Sequence, residues 1–439
     1  MPLRPTLLTA ALLLALPPAW GANLGGLYQQ ALEQDAQYAA ARETYKAGLE
    51  KLPQAQAAQR PTVQVSGNAR LANSRTEISG AATTLNYQPH GFTLSLSQSL
   101  YNQQNIENVE IGKLQVALAE QQLKLAEQEL LLRVAKAYFE TLQAQDALET
   151  ANAQKQAIGE QLALAKKSFE VGNATITDAH EAQARYDLTE AQEIAARNDL
   201  DVKRRALEKI INQETPRLAL LADAIQAPLP QPNDMNAWVR QAEAGSLSVS
   251  LAQSALEVSR RQVQVQRAGN KPTLSLGASY SDNRDQAQST IKGVDSRSAL
   301  IGVELAWTPY QGGVVDSRVK EAIANQEKAR FDLDHARRQA VLDARQGFLG
   351  VLSGDARIKA LDQALISSEA QLKSTKLGLE VGVRTRVDVL NAQQQVFSTK
   401  RDLAAARYQT LISGLQLKAA AGSVGEADLK AIDQLLREP

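Results

Sequence analysis

The chain has 439 residues, and its 48 lysines and arginines balance its 48 aspartates and glutamates, so its formal net charge is zero. This balance argues against nucleic acid as a partner, because nucleic-acid-binding proteins carry a basic excess. The chain has no cysteine, which excludes disulfides, thiolate metal sites, cysteine nucleophiles and lipid attachment at an N-terminal cysteine.

Residues 1–22 predict a secretory signal peptide. Arg4 supplies the positive charge, residues 7–16 form the apolar segment, and small residues around Gly21 offer a cleavage site. A membrane anchor is the alternative, but the apolar segment is shorter than the roughly 20 residues that a spanning helix needs. No apolar run of spanning length follows residue 22. Entry into a membrane would therefore require a β-barrel.

The next segment predicts a helix and then a pair of strands. Residues 24–52 have a helical apolar pattern, which Pro53 weakens and Pro61 ends. Residues 62–71 and 92–100 alternate apolar and polar side chains, with a polar loop between them up to about residue 86. This alternation suits a porin-like strand with an apolar outer face. It equally suits a half-buried hairpin in a soluble domain, so the alternation alone does not decide.

A very long helix and a shorter returning helix follow. Residues 102–169 predict one helix of about 100 Å, and residues 175–212 predict its return. Two apolar heptad series lie on nearly opposite faces of the long helix. The series are Leu123, Leu130, Ala137, Ala144, Ala151, Ile158 and Ala165, and Leu118, Leu125, Leu132 and Phe139. Two seams favour a neighbour on each side, as in a ring of helices, although a helix inside a bundle remains an alternative.

After a proline-rich break, the second half of the chain repeats the first. The predicted elements of this half are a helix at 247–268, strands at 274–280 and 299–307 around a polar loop at 282–297, a long helix at 312–378 and a returning helix at 385–421. The two structural repeats are therefore residues 23–232, with a β-hairpin at 61–101 and a helical hairpin at 102–212, and residues 233–439, with a β-hairpin at 272–310 and a helical hairpin at 312–421.

The clearest copies of the repeat lie where each long helix ends. Residues 169–183 and 379–393 are identical at seven of fifteen positions, including a glycine, a threonine and an aspartate. Glycine ends a helix because it adopts the left-handed conformation without a clash at Cβ. Threonine and aspartate cap the start of the next helix. Both copies therefore predict the tips of long helical hairpins.

The segments at 171–187 (VGNATITDAHEAQARYD), 381–393 (VGVRTRVDVLNAQ) and 308–313 (TPYQGG) resemble the TolC family of bacterial outer-membrane channel-tunnels. The resemblance extends from about residue 24 to about residue 432. It implies an α+β membrane protein that forms a homotrimer. Each chain would give four strands to one twelve-stranded β-barrel, which a long α-helical barrel continues across the periplasm.

The resemblance also implies a function and its partners. The trimer would be a passive exit duct for proteins, in type I secretion, or for small toxic molecules. Its partners would be a periplasmic adaptor, an inner-membrane ABC or other efflux transporter, and outer-membrane lipid. No chemistry is catalysed and no cofactor is needed. The missing lipidation cysteine and the match at both tips favour the branch that serves type I secretion.

The resemblance assigns gating residues at the periplasmic entrance. It implies that Arg384 bonds to Thr177 and Asp178 and so holds the entrance shut, a set of contacts here called the tip lock. The aspartate pair of the family constriction maps to Asp388 and Asn391, which predicts one carboxylate ring and weak block by divalent cations. Without the resemblance, the same charges are as well explained as helix caps.

Two substitutions distinguish this entrance from the family pattern. Arg386, close to Asp388, is expected to lower cation selectivity further. Leu379 stands where the family can place an aromatic residue of the lock, so that contact is missing and a looser lock is expected. The resemblance also implies contacts with the adaptor at Val171, Gly172, Val381 and Gly382, next to Asn173 and Val383. An aromatic girdle at the inner membrane interface is expected from Tyr101, Trp307 and Tyr310.

Two other classes of protein are less well supported. A soluble periplasmic coiled-coil adaptor or scaffold would explain the long helices, but it has no use for two pairs of strands with an apolar outer face. An enzyme is disfavoured because the three histidines, at 90, 180 and 335, form no metal-binding motif. The pair Gly312-Gly313 lacks the lysine of a phosphate-binding loop and is interpreted as the bend between barrel and tunnel.

Overall fold

The computed structural model describes residues 22–172, 174–222, 228–288 and 291–437. The predicted signal peptide, except its last residue, and Asn173 therefore lie outside the described residues. The helices are α1 (Leu24–Gln34), α2 (Ala36–Leu49), α3 (Lys51–Ala57), α4 (Gln103–Glu170), α5 (Ile176–Ile211), α6 (Met235–Gly245), α7 (Leu247–Arg267), α8 (Val314–Glu380), α9 (Arg386–Ala420) and α10 (Glu426–Asp433). The strands are β1 (Thr62–Ala69), β2 (Ala72–Ile78), β3 (Ala81–Tyr87), β4 (His90–Tyr101), β5 (Leu220–Leu221), β6 (Thr273–Gln288), β7 (Ile291–Ala306) and β8 (Leu436–Arg437).

The chain divides into two compact units. The strand unit contains Ala40–Ala126 and Glu243–Val341, and the helical unit contains the described residues up to Ala39 together with those of Glu127–Ala242 and Leu342–Pro439. Among the described residues, no helix combines the length and the apolar character that crossing a membrane demands.

The strand unit is built on one antiparallel sheet in the order β1-β4-β6-β7. The two predicted β-hairpins are thus joined through β4 and β6, with β1 and β7 at the edges. The alternation predicted from the sequence is confirmed by the register. Val65 pairs with Leu94, Leu94 with Tyr280, and Ala278 with Ile301, so apolar side chains share one face.

That apolar face is exposed in the single chain. Val65 is 71% exposed and Ile301 is 76% exposed, and Val63, Val303 and Leu305 are also exposed. The opposite face carries serine, threonine and glycine, as the pairs Ser95–Ser279 and Ser281–Ser298 show. An apolar face of this extent is unusual on a protein surface and indicates contact with lipid or with another protein.

The predicted polar loops in both halves are wrong in part. Residues 72–87 form the hairpin of β2 and β3, and the predicted loop at 282–297 is mostly the ends of β6 and β7. The first hairpin turns at Ser79 and Gly80, whose φ angles of 52° and 83° suit a two-residue turn. Because polar residues predominate in these segments, they lack the regular alternation from which strands are predicted.

The single helix predicted at 24–52 is three helices. Asp35 has an extended backbone and ends α1, and its Oδ1 accepts the Tyr38 backbone N–H at 2.7 Å at the start of α2. The same oxygen accepts Nη2 of Arg133 at 2.9 Å. Aspartate at this position favours a new helix start. Pro53 lies in the first turn of α3, where a missing N–H costs little.

The helical unit is held together by a core around α4 and α9. Leu130 of the first predicted heptad series and Phe139 of the second are both fully buried there. Ala144 and Ile158 of the first series are buried as well, which confirms that seam. The ring of Phe139 contacts Tyr138 edge-on at 5.6 Å and Tyr408 at 5.8 Å between ring centroids. Aromatic pairs of this geometry add about 0.5–1.5 kcal/mol to the burial of their area.

Three glycines let α8 and α9 approach closely. Gly347, Gly350 and Gly354 lie on one side of α8 at spacings of three and four residues. A Cβ atom on Gly347 would lie 2.8 Å from the Cα of Leu417, and one on Gly350 would lie 3.0 Å from the Oγ of Ser413. A Cβ atom on Gly354 would come still closer to Oγ1 of Thr410.

A partly buried carboxyl group in the helical unit makes stability depend on pH. The Tyr408 hydroxyl donates to Oδ2 of Asp146 at 2.6 Å, and burial raises the pKa of Asp146 above its usual range. The folded chain then binds a proton on Asp146 more readily than the unfolded chain does. Wild type should therefore gain stability, relative to Asp146→Asn, as the pH falls from 7 through the raised pKa.

This gain is measured as the difference in melting temperature between the two proteins at intervals from pH 7 down to pH 4, near the ordinary pKa of an aspartate. A difference that does not change with pH would contradict the assignment of a raised pKa to Asp146.

Candidate functional site at the helical tips

The two tips have the same local structure. Gly172 and Gly382 adopt φ angles of 76° and 82°, which lets each long helix end there. Thr175 and Thr385 then cap α5 and α9, and each forms a reciprocal capping box with an aspartate three residues on. The sequence prediction of two capped helical tips is confirmed.

The carboxylates of Asp178 and Asp388 are engaged in these capping boxes. Oδ2 of Asp178 accepts the Thr175 backbone N–H and hydroxyl, each at 2.9 Å. Oδ2 of Asp388 accepts the Thr385 N–H at 2.8 Å. Bonds from the Thr385 backbone and side chain, with a smaller effect from the Arg384 charge, hold the pKa of Asp388 below its usual range. Asp388 thus stays ionised near neutral pH.

The tip lock does not form inside one chain. Arg384 is exposed, and within the described part of the chain it makes no hydrogen bond with Thr177 or Asp178. Its Cγ lies against Gly378, where a Cβ would come within 2.7 Å of it. A lock between Arg384 of one chain and its predicted partners in another chain stays a prediction.

Arg386 contacts the other hairpin instead of Asp388. Its Nη2 donates to the Ser168 hydroxyl at 2.7 Å and so joins the start of α9 to the end of α4. Its Nη1 is buried without a hydrogen-bond partner among the described residues, beside a small cavity that Asp178 and Glu181 also line. Ser168 was not predicted, because no local pattern marks a contact between residues 218 positions apart.

Arg185 is a second arginine that joins the hairpins, and it too was not predicted. Its Nη1 donates to Oε1 of Gln394 at 2.8 Å, and its Nη2 donates to Oδ1 of Asn391 at 3.0 Å. Asn391, the predicted constriction residue, is therefore held by α5. The sequence offered only one indication of this contact, which is that both residues lie near the start of their helices. Arg185 follows Asp178 by seven residues, and Asn391 follows Asp388 by three.

The remaining predicted residues are accessible. Val171 and Val381 are exposed beside the tip glycines, as an adaptor contact requires. Tyr101 ends β4, and Trp307 and Tyr310 follow β7, and all three are exposed. Nε1 of Trp307 donates to the Asn270 carbonyl at 3.0 Å, which fixes the indole at the end of the sheet.

Within the described residues, no cluster of three or more histidine, aspartate or glutamate side chains could hold a metal.

Comparison with known proteins gives consistent results. The family profile described as Outer membrane efflux protein matches residues 27–213 and 238–423, one segment in each predicted repeat. Outer membrane protein TolC of Vibrio cholerae is 32% identical over 437 residues, which cover 99% of this chain and 98% of that protein. Alkaline protease secretion protein AprF of Pseudomonas aeruginosa is 31% identical, over 96% of this chain and 89% of that protein.

A solved structure shows the same fold. The outer membrane protein VceC from Vibrio cholerae superimposes with a TM-score of 0.76 at 19% identity, and the match covers 91% of this chain and 96% of that chain.

Proposed function

This chain belongs to the outer membrane efflux protein family, and we propose that three copies of it form the exit duct of a three-part export system. The protein lies in the outer membrane and is a duct for efflux and type I secretion. The other two parts are a periplasmic adaptor and an inner-membrane transporter of the ABC or another efflux class. The family is one of efflux channels and not of enzymes, so the energy comes from the transporter.

The four-stranded sheet, with an edge on each side and an exposed apolar face, supports the trimer more directly than any other observation. One chain supplies four strands, too few to close around a lumen. β1 and β7 are left as edges, and an exposed edge pairs readily with another strand. Three copies joined β1 to β7 close twelve strands into a barrel. Its apolar outer face then contacts lipid, and its serine- and threonine-rich face lines the lumen.

The tips form the entrance of this duct. Arg384 of one chain bonds to Thr177 and Asp178 of the next, since its predicted partners are not reached within one chain. Asp388 supplies one ring of ionised carboxylates, and Asn391 supplies a neutral ring. Val171, Gly172, Val381 and Gly382 meet the adaptor, and the exposed valines give that contact its apolar part. The relative named for alkaline protease secretion supports proteins as cargo.

Two adjacent substitutions on β7 test the duct. Ile301 lies on the apolar face and Leu300 on the opposite face, and both are largely exposed in the single chain. Ile301→Arg should cost about 2–4 kcal/mol per chain, because it places a charge in lipid, and should abolish outer-membrane trimers. Leu300→Arg, the matched control, should face the lumen and leave assembly intact. The measurement is recovery in the carbonate-washed membrane fraction and slow migration of unheated protein on a gel.

Purified wild-type trimers should also give discrete, stable conductance in a planar bilayer. If Ile301→Arg and Leu300→Arg were recovered equally well as membrane trimers, the result would instead support a soluble periplasmic scaffold. Release of the wild-type protein by the carbonate wash would support the same alternative.

A further inference from the structure

The contact between Arg185 and α9 has a consequence for ion flow. One guanidinium on α5 binds the side chains of Asn391 and Gln394, which lie three residues apart on α9, at 3.0 and 2.8 Å. Such a two-point contact fixes the planar guanidinium in position more firmly than a single bond would. The position of this charge is therefore set by the fold.

The charge of Arg185 is not neutralised by its partners. Both acceptors are uncharged amide oxygens, and no carboxylate of the described residues forms an ion pair with Arg185. The nearby Asp187 accepts a hydrogen bond from Gln183 instead. By contrast, Lys155 on α4 is paired with both Glu190 and Glu193. Arginine stays protonated at any physiological pH, so Arg185 contributes a full positive charge.

This charge lies one to two turns along α9 from Asp388, the charged residue of the predicted constriction. Asp388, Asn391 and Gln394 follow one another at intervals of three residues. Asn391 and Gln394 are exposed, whereas Val389 and Leu390 are buried. Asn391 is one turn, or about 5 Å along the axis, from Asp388. A charge held at Asn391 is therefore within about 10 Å of the level of Asp388 along the axis, the range over which salt solution leaves charges coupled.

We propose that Arg185 sets the charge selectivity of the entrance, by holding a positive charge at Asn391, one turn along α9 from Asp388. The inference rests on the proposed duct, because only a closed trimer turns these side chains into rings. Three Arg185 guanidiniums then add to the three nearer Arg384 charges and offset part of the attraction that the Asp388 carboxylates exert on cations. The entrance therefore favours cations less than it would with a neutral residue at position 185. Anionic solutes, including acidic segments of an exported chain, should therefore pass the entrance more readily.

The reversal potential across a bilayer in a KCl gradient tests this assignment. Arg185→Gln keeps hydrogen-bonding groups but removes the charge, and should raise the cation-to-anion permeability ratio about threefold. Asn391→Asp alone should raise it less, because the new carboxylate pairs with Arg185. The double variant Arg185→Gln with Asn391→Asp should raise it most. Arg185→Lys, which keeps the charge and loses the two-point contact, should restore the wild-type ratio.

Each outcome separates the inference from the proposed function. Equal reversal potentials for wild type and Arg185→Gln would overturn the inference and leave the duct in place. A shift in Arg185→Lys as large as that in Arg185→Gln would also overturn it, because the effect would then come from helix positioning. A wild-type protein that conducts no ions would overturn the duct, and the inference with it.

Discussion

Replacing Arg384 with serine should enlarge the single-channel conductance of the trimer severalfold. Arg384 is exposed and has no bond to Thr177 or Asp178 within its own chain, so the lock we propose joins neighbouring chains. Each exposed contact is worth only about 0–1 kcal/mol. Three of them around one axis sum to a shift of about tenfold in the open population. The measurement is conductance in a planar bilayer, with wild type and variant at the same salt concentration.

Arg338→Ser is the matched control for this experiment. Arg338 is also exposed and pairs with Asp334 one turn away on α8, so its loss removes the same charge without touching a tip. Conductance of this variant should equal that of wild type. If Arg384→Ser trimers conduct no more than Arg338→Ser trimers, the lock is not where we have placed it.

Gly347→Ala should destabilise the protein, although alanine favours helices over glycine by about 1 kcal/mol. The added Cβ would lie 2.8 Å from the Cα and 3.0 Å from the backbone nitrogen of Leu417. Backbone atoms cannot rotate away as a side chain can, so α8 and α9 must separate. Overpacking of this kind costs about 1–3 kcal/mol. We expect a lower melting temperature by circular dichroism.

Gly414→Ala, on the same pair of helices, should not lower the melting temperature. A Cβ at Gly414 would meet only Cγ2 of Val351, at 4.0 Å, which is ordinary van der Waals contact. This variant should melt at the wild-type temperature or above it, because only the gain in helix propensity remains. Equal effects of the two alanines would show that the close approach of α8 and α9 does not depend on Gly347.

The long helices could be predicted almost to the residue. Residues 102–169 were expected and Gln103–Glu170 is observed, because a heptad pattern this long has few alternatives and because glycine, threonine and aspartate mark its end. The break at Asp35 was missed, since the apolar pattern continues across it. Strands β2 and β3 are mostly polar, and their few apolar residues are too sparse to predict a strand.

The candidate site divides along similar lines. The caps at Thr175 and Thr385 could be predicted because each involves residues three positions apart. The contacts of Arg185 with Asn391 and of Arg386 with Ser168 could not, because they join residues 206 and 218 positions apart in different repeats. Long polar side chains are placed by tertiary packing, and a single sequence carries no record of which face of one helix meets which face of another.

The capping boxes make the two sides of the tip lock unequal as targets for mutation. The carboxylate of Asp178 holds the first turn of α5 as well as being the predicted partner of Arg384. The side chain of Arg384 caps no helix, because only its backbone N–H bonds to the last turn of α8. A charge swap, with arginine at 178 and aspartate at 384, would therefore restore the attraction between chains but weaken the cap of α5 by about 0.5–2 kcal/mol. If this charge swap failed to restore a closed entrance, the failure would therefore not contradict the lock. Arg384→Ser is the cleaner test, because it removes the proposed contact and leaves every helix cap in place.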